Sequence, residues 1–197
     1  MKIYDADIRK LLFNSFLKEQ DYIKESDTVI INELDVCAGV SRADIAVING
    51  KIHGYEIKSK QDNLERLPSQ IESYNLIFDT MTIVTYESHL KKVKEIIPKW
   101  WGIKCVYEKN GDVMIKNIRK PKENNNINIQ NVAMLLWKDE MIDLILSHSN
   151  ITKGYKSKTR YDLSQLIKQN IDGNTVQEYV RNVLKTRTNW KAVPLKP

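Results

Sequence analysis

Three polar side chains within two short apolar runs have the residue types and spacing needed for phosphodiester chemistry. Asp44 lies in the first run, residues 42–48, and Glu56 and Lys58 lie in the second, residues 51–59. Carboxylates are ligands that a hard divalent cation such as Mg²⁺ prefers. A bound cation lowers the pKa of water and neutralises charge on a phosphate. The lysine can orient that water or stabilise the transition state. These residues predict a metal-dependent phosphodiesterase site.

The two runs predict a β-hairpin, because Asn49-Gly50 between apolar segments is a strong turn signal. Side chains alternate between faces along a strand, so Glu56 and Lys58 share a face. A two-residue loop would place Asp44 on the opposite face from Glu56. We therefore predict a three-residue loop that starts at position 48 and ends at a left-handed Gly50 with a G1-type bulge, or a bulge further along the hairpin.

The segment after the hairpin predicts a helix from residue 62 to about residue 78. Gln70 and Tyr74 are four residues apart and therefore share one helical face. Arg66 extends this face, where its planar guanidinium suits a phosphate. An ion pair with Asp62, four residues earlier, accounts for Arg66 equally well.

Asp44 followed by Glu56-Ile57-Lys58 resembles the PD-(D/E)XK nuclease superfamily, the restriction-endonuclease-like proteins. Gln70 with Tyr74 resembles the Q-x-x-x-Y motif of the RecB-like branch. The match covers roughly residues 3–105 and is similar to a group of small bacterial and phage proteins of that superfamily. It extends over three further motifs, Arg42-Ala43-Asp44, Arg66-Leu67-Pro68-Ser69-Gln70 and Trp100-Trp101-Gly102-Ile103. Alanine stands where the superfamily's name has proline.

The resemblance implies that this chain hydrolyses DNA with Mg²⁺, for which Mn²⁺ is an expected substitute. Asp44 and Glu56 are then the metal ligands, and the backbone carbonyl of Ile57 adds a third oxygen. The resemblance places Gln70 and Tyr74 beside the metal, where they contact the nucleic-acid backbone or position the catalytic lysine.

A further acid from an earlier element often completes the metal site in that superfamily. Glu33, on the first predicted strand, is our first candidate for this ligand. Asp35 shares its face, and Glu19 from the first helix is the rival. A carboxylate at the sheet edge is the structural alternative.

The composition is that of an ordinary globular protein, with 42% hydrophobic and 28% charged residues. No apolar run approaches the roughly 18 residues of a membrane span. The first residues lack the features of a signal peptide, so we expect a cytoplasmic protein without membrane contact.

The net charge of +6 is unevenly placed. Residues 1–115 hold 16 Lys and Arg against 18 Asp and Glu, whereas residues 116–197 hold 15 against 7. A basic C-terminal region is typical of phosphate-binding extensions, although a solvated lysine-rich surface is the alternative. The candidate DNA-contacting residues are Lys60, Arg66, Lys156, Lys158 and Arg160.

The element order predicts an α/β fold, a restriction-endonuclease-like mixed central sheet flanked by helices with a C-terminal helical extension. We expect a nuclease-like core over residues 1–120, a linker near 120–126 and a basic helical region over 127–197. Its last two helices, about 161–170 and 174–187, have the size of a helix-turn-helix, with a helical cap as the alternative. We expect the final residues to be frayed.

The sequence therefore predicts a metal-dependent deoxyribonuclease in DNA processing, repair or defence. Three alternatives remain: a nucleic-acid-binding module with little activity, an RNA-directed nuclease, and a nuclease subunit that depends on a protein partner. A homodimer is expected if both DNA strands are cut.

Overall fold

The computed structural model describes residues 5–188 and 190–195 of the 197-residue chain. The helices are α1 (Asp5–Phe16), α2 (Gln20–Ile23), α3 (Leu67–Tyr74), α4 (Leu90–Ile96), α5 (Ile129–Ala133), α6 (Lys138–His148), α7 (Arg160–Asn170) and α8 (Gly173–Thr186). The strands are β1 (Val29–Val36), β2 (Ser41–Ile48), β3 (Ile52–Lys58), β4 (Thr80–Tyr86), β5 (Gly102–Lys109), β6 (Asp112–Arg119) and β7 (Ala192–Pro194).

The described strands form one mixed sheet of seven strands in the order β6-β5-β4-β3-β2-β1-β7. Strand β4 pairs in parallel with both β3 and β5, and the remaining pairs are antiparallel. Helices α3 and α4 make the crossovers that these parallel pairs require. The predicted α/β class with a mixed sheet flanked by helices is confirmed.

Helix α1 covers one face of the sheet. Its buried residues Ile8, Leu12 and Phe16 form a hydrophobic cluster with Tyr55 and Ile57 of β3. The Phe16 and Tyr55 rings lie 4.9 Å apart. Because side chains alternate along β3, Glu56 and Lys58 face the other side of the sheet.

Helix α3 and the C-terminal helices cover that other face. Leu67 and Tyr74 of α3 share one large hydrophobic cluster with Leu144, Leu163 and Val180 of the later helices. The helical region is thus part of the same core as the sheet. Deleting residues 150–197 would therefore expose the apolar core.

The hairpin has the predicted loop length, because Ile48 pairs with Ile52 across a three-residue loop. The loop is residues 49–51, one position later than predicted, and Gly50 does not have the positive φ that we expected. The side chain of Asn49 explains the difference. Its Oδ1 accepts from the Lys51 amide at 3.0 Å, and this bond closes the turn without a left-handed glycine.

The helix after the hairpin begins later than predicted. Asp62 does not cap it, because its Oδ2 accepts from both the amide and the hydroxyl of Ser59, each at 2.7 Å. Those bonds close a separate turn. Helix α3 then begins at Leu67, with Pro68 in its first turn.

The segment predicted as a linker is held against the core. Asn124 is buried, and its Nδ2 donates to the carbonyls of Asn75 at 2.8 Å and Phe78 at 3.0 Å. The chain end also differs from the prediction of a frayed terminus. Residues Ala192–Pro194 pair with β1, which would otherwise be an open sheet edge.

Within the described residues, no helix combines the length and apolar character needed to cross a membrane.

The space around Gly54 on β3 predicts a sensitive core position. A Cβ there would lie 2.4 Å from Met81 Sδ and 2.8 Å from the Phe78 ring. Gly54→Ala should therefore lower the free energy of unfolding by about 1–3 kcal/mol, measured by urea denaturation. Gly50→Ala is the matched control, because its Cβ would lie 3.4 Å from Glu25 Oε1. Equal stability of the two variants would contradict the close packing at Gly54.

Candidate active site

The Glu56 carboxylate is buried at the end of β3 and accepts hydrogen bonds at both oxygens. Its side chain is only 3% exposed. Oε1 accepts from Lys58 Nζ at 2.8 Å and from Gln70 Nε2 at 2.7 Å. Oε2 lies 2.8 Å from the Tyr74 hydroxyl, which donates to it. The structure thus brings together four of the predicted site residues.

Gln70 links the lysine to the carboxylate. Its Oε1 accepts from Lys58 Nζ at 3.1 Å, while its Nε2 donates to Glu56. An amide can do both at once because it carries an acceptor and two donors. The predicted placement of Gln70 and Tyr74 on one face of α3 is confirmed. Gln70 Nε2 lies 3.3 Å from the Tyr74 hydroxyl.

The Tyr74 hydroxyl ties α3 to both hairpin strands. It lies 2.6 Å from the main-chain oxygen of Arg42 on β2, besides its contact with Glu56 on β3. Burial, followed by the negative charge of Glu56, raises the pKa of Tyr74 well above its ordinary value. The phenol therefore stays neutral and acts as a hydrogen-bond donor.

Asp44 lies directly across the hairpin from Glu56, because Ile45 pairs with Tyr55. Its Oδ2 accepts from the amide of Ile57 at 2.7 Å. Burial and, next, the charge of Glu56 raise the pKa of Asp44 to about 7. The two carboxylates therefore repel each other within one site.

Arg9 of α1, which is not among the site residues predicted from the sequence, also contacts Asp44. Its Nη1 donates to the Asp44 carbonyl at 2.9 Å, and its Nη2 lies 3.3 Å from Oδ1. Arg9 is also paired with Asp5 on the same helix. No local motif marks this arginine. It lies 35 positions before Asp44 in the sequence, and only the packing of α1 on the sheet brings the two together.

Asp44, Glu56, Lys58, Gln70 and Arg9 line an open pocket of about 480 Å³, which we call the Asp44 pocket. Arg66 lines it and is exposed, with no side-chain partner in the part of the chain that the structure describes. The alternative ion pair with Asp62 is absent among those residues, since that carboxylate bonds Ser59 instead. An exposed guanidinium without an ionic partner among the described residues thus lines the pocket.

The structure does not bring Glu33 to the other carboxylates. Its φ of 55° breaks the regular strand, and its side chain is 53% exposed and 3.4 Å from Arg42. Glu19 pairs with Lys104 at 3.1 Å, away from the pocket. Asp35 lines the pocket but is held by Arg42 at 2.6 Å.

The donor set of the Asp44 pocket fits a hard divalent cation. Two carboxylates face one open space, and a cation would relieve the repulsion that raises the pKa of Asp44. Over residues 5–188 and 190–195, no three His, Cys, Asp or Glu side chains form a ligand group. Mg²⁺ needs few protein ligands because it keeps several waters, so a set of two carboxylates is compatible with it.

The predicted DNA contacts outside the pocket fall into two groups. Lys156 is exposed and Lys158 is half-buried. Lys60 lies over the Tyr86 ring, with Nζ 5.3 Å from its centroid. Arg160 differs, because its Nη2 donates to the carbonyls of residues 134 and 136. Its guanidinium is turned toward the protein and is not presented on the outer surface with the lysines.

The described chain is therefore an α/β protein with a buried carboxylate–lysine site at the end of its central hairpin. It belongs to the bacteriophage P4 protein cII family, whose model matches residues 2–193. "Protein cII" of Enterobacteria phage P4 is 30% identical over 162 residues, which are 82% of this chain. The chain spans 60% of the length of that relative. No solved structure matches the chain significantly.

The raised pKa of Asp44 predicts a pH-dependent stability. Between its unfolded pKa near 3.8 and its folded pKa of about 7, the folded state binds the proton more tightly. The stability that Asp44 contributes is thus lost as pH rises through this range. Asp44→Asn cannot ionise, so it should gain about 2–3 kcal/mol relative to wild type between about pH 5 and pH 8.

Urea denaturation with a chelator present measures this difference. Glu72→Gln is the control, because Glu72 is an exposed carboxylate on the same helix as Gln70. It should follow the wild-type pH profile. A constant stability difference between Asp44→Asn and wild type across this range would show that Asp44 ionises normally.

Proposed function

We propose that this chain is a Mg²⁺-dependent deoxyribonuclease with a restriction-endonuclease-like core. The observation that carries the proposal is the convergence of Asp44, Glu56 and Lys58 on one open pocket, with Gln70 and Tyr74 behind Glu56. Two carboxylates and one ammonium within hydrogen-bonding reach are the groups that phosphodiester hydrolysis requires.

Asp44 and Glu56 would hold Mg²⁺, or Mn²⁺ in its place, with the carbonyl of Ile57 as a third oxygen. When bound, the ion would supply an activated water and positive charge at the phosphate. We do not include Glu33 among the ligands, because it is turned outward to Arg42.

The other residues of the site orient these groups. Lys58 is 6% exposed, so its ammonium is held beside Glu56 and does not move freely in solvent. Gln70 fixes both partners through its two hydrogen bonds. The amide of Ile57 fixes one oxygen of Asp44 and leaves the other toward Arg9 and the pocket.

DNA would approach through its phosphates. Arg66 has an exposed guanidinium that can donate two parallel hydrogen bonds to a phosphate. Lys60, Lys156 and Lys158 add positive charge further along the surface. Arg160 is excluded from this role by its bonds to the main chain. We place the activity in the cytoplasm, in DNA processing, repair or defence, with a homodimer where both strands are cut.

A second candidate function is a nucleic-acid-binding subunit with little activity of its own. It is favoured because the carboxylates already have hydrogen-bond partners within the protein. Both Glu56 oxygens accept from protein donors, and Arg9 contacts Asp44. A cation must compete with these donors. The chain also spans only 60% of its P4 relative, so a partner-dependent activity belongs to this alternative.

Cleavage assays test the first proposal. Labelled duplex, nicked, branched and single-stranded DNA, with matched RNA, are incubated with Mg²⁺ or Mn²⁺. Asp44→Ala and Lys58→Ala should each lower the cleavage rate at least about 100-fold, because each removes a group that acts on the transition state. Glu72→Ala, an exposed position on α3, should keep the wild-type rate.

Melting curves show whether each variant is folded before its rate is compared. If the protein cuts RNA and none of the DNA substrates, the substrate is RNA and not DNA. If the wild-type protein cuts none of these substrates, the binding-subunit alternative replaces the nuclease.

A thermal shift tests metal binding without activity. Mg²⁺ that binds only the folded state should raise the melting temperature of the wild-type protein by about 2–6 °C at saturating concentration. Asp44→Asn should lose most of this shift, whereas Glu72→Gln should keep it. Sodium chloride at equal ionic strength controls for screening. An equal shift in all three proteins would place the ion elsewhere.

A further inference from the structure

Trp137, immediately before α6, is 51% exposed although indole is a large apolar group. The guanidinium of Arg187 lies over its ring, 4.2 Å from the centroid, and also over the Trp190 ring at 4.3 Å. Because Arg187 covers one face of the Trp137 ring, the exposed area belongs to the opposite face and the edges. This leaves an aromatic surface open to a planar partner.

The Trp137 ring is held in place by the structure beneath it. Arg187 is only 3% exposed, and its Nε and Nη2 donate to the two oxygens of Glu140 at 2.9 and 2.6 Å. The Trp137 amide also donates to Glu140, at 2.6 Å. Arg160 and Arg187 together bind the carbonyls of residues 134–136, just before the tryptophan. The ring is therefore already ordered, and a partner that stacks on it loses little binding free energy to immobilising this side chain.

A cavity of about 200 Å³ adjoins the ring, and we call it the Trp137 cavity. Three cationic residues, Arg160, Arg187 and Lys191, line it together with two acidic ones, Glu33 and Asp35. The balance of charge in the lining is positive, so it favours an anionic ligand such as a phosphate.

The Trp137 cavity adjoins the Asp44 pocket, because Asp35 and Gly39 line both. The acidic residue that lines both spaces, Asp35, is neutralised by ion pairs. Asp35 pairs with Arg42 at 2.6 Å and with Lys191 at 3.6 Å. A phosphate backbone could therefore pass from one site to the other without an uncompensated repulsion.

We propose that Trp137 is a stacking platform for an unpaired nucleic-acid base, and that the same strand continues into the Asp44 pocket. The proposal rests on the proposed function for the role of that pocket and names its substrate class, a single strand or an unpaired strand end. Bases inside a duplex stack on their neighbours and offer no free face, whereas every unpaired base does.

Fluorescence anisotropy tests the platform with a chelator present, so that no cleavage occurs. The probes are a labelled single-stranded oligothymidine and a blunt hairpin duplex. Trp137→Ala should weaken binding of the single strand about 5- to 100-fold and binding of the hairpin less than about twofold. Tyr161→Ala is the matched control, because Tyr161 is an aromatic residue on α7 that is 58% exposed and lies outside the cavity lining. It should leave both affinities unchanged.

Trp137→Phe separates stacking from structural damage. It keeps an aromatic face, so it should bind the single strand within about threefold of wild type. The quenching of tryptophan fluorescence by the oligonucleotide should be smaller, because the stacked indole is gone. A melting curve confirms that each variant is folded.

The platform is overturned if the wild-type protein does not bind the single strand, or if Trp137→Ala binds it as tightly as Tyr161→Ala does. Undiminished quenching in Trp137→Phe would also overturn it. These outcomes would not affect the nuclease proposal, which is tested separately by Mg²⁺-dependent cleavage with the wild-type protein. Conversely, selective loss of single-strand binding in a protein that cuts nothing would support the platform and reject the nuclease.

Discussion

The burial of the Glu56–Lys58 pair is the constraint on which the site depends. Removing two charges from water is costly, and their attraction offsets that cost only when the remaining hydrogen-bonding groups are satisfied. Here Gln70 and Tyr74 supply the missing bonds from α3, and the latter also contacts β2. The helix and both hairpin strands must therefore be in place together, and the site forms only with the tertiary fold.

The central position of β3 explains how one strand supports both core and site. Tyr55 and Ile57 pack under α1, while Glu56 and Lys58 face α3. This alternation lets apolar residues anchor the strand on one side while charged residues are held on the other. Asp44 joins them because the three-residue loop places it across from Glu56.

The basic C-terminal region has a larger structural role than its charge indicates. Arg160 and Arg187 bind main-chain carbonyls, and the second also pairs with Glu140. Lys185 pairs with Asp27 near the start of β1. Net charge alone therefore overstates how many basic side chains this member of the P4 cII family leaves exposed in that region. The large indole of Trp137, in contrast, is exposed there.

The sequence by itself determined the hairpin, the shared face of Glu56 and Lys58, and the pairing of Gln70 with Tyr74, because these follow from short-range periodicity. Only the tertiary structure decided the rest. Long-range packing brought Arg9 to Asp44, turned Glu33 outward, drew Arg160 inward and added β7 to the sheet edge. No local pattern encodes such contacts, since they depend on how distant elements meet.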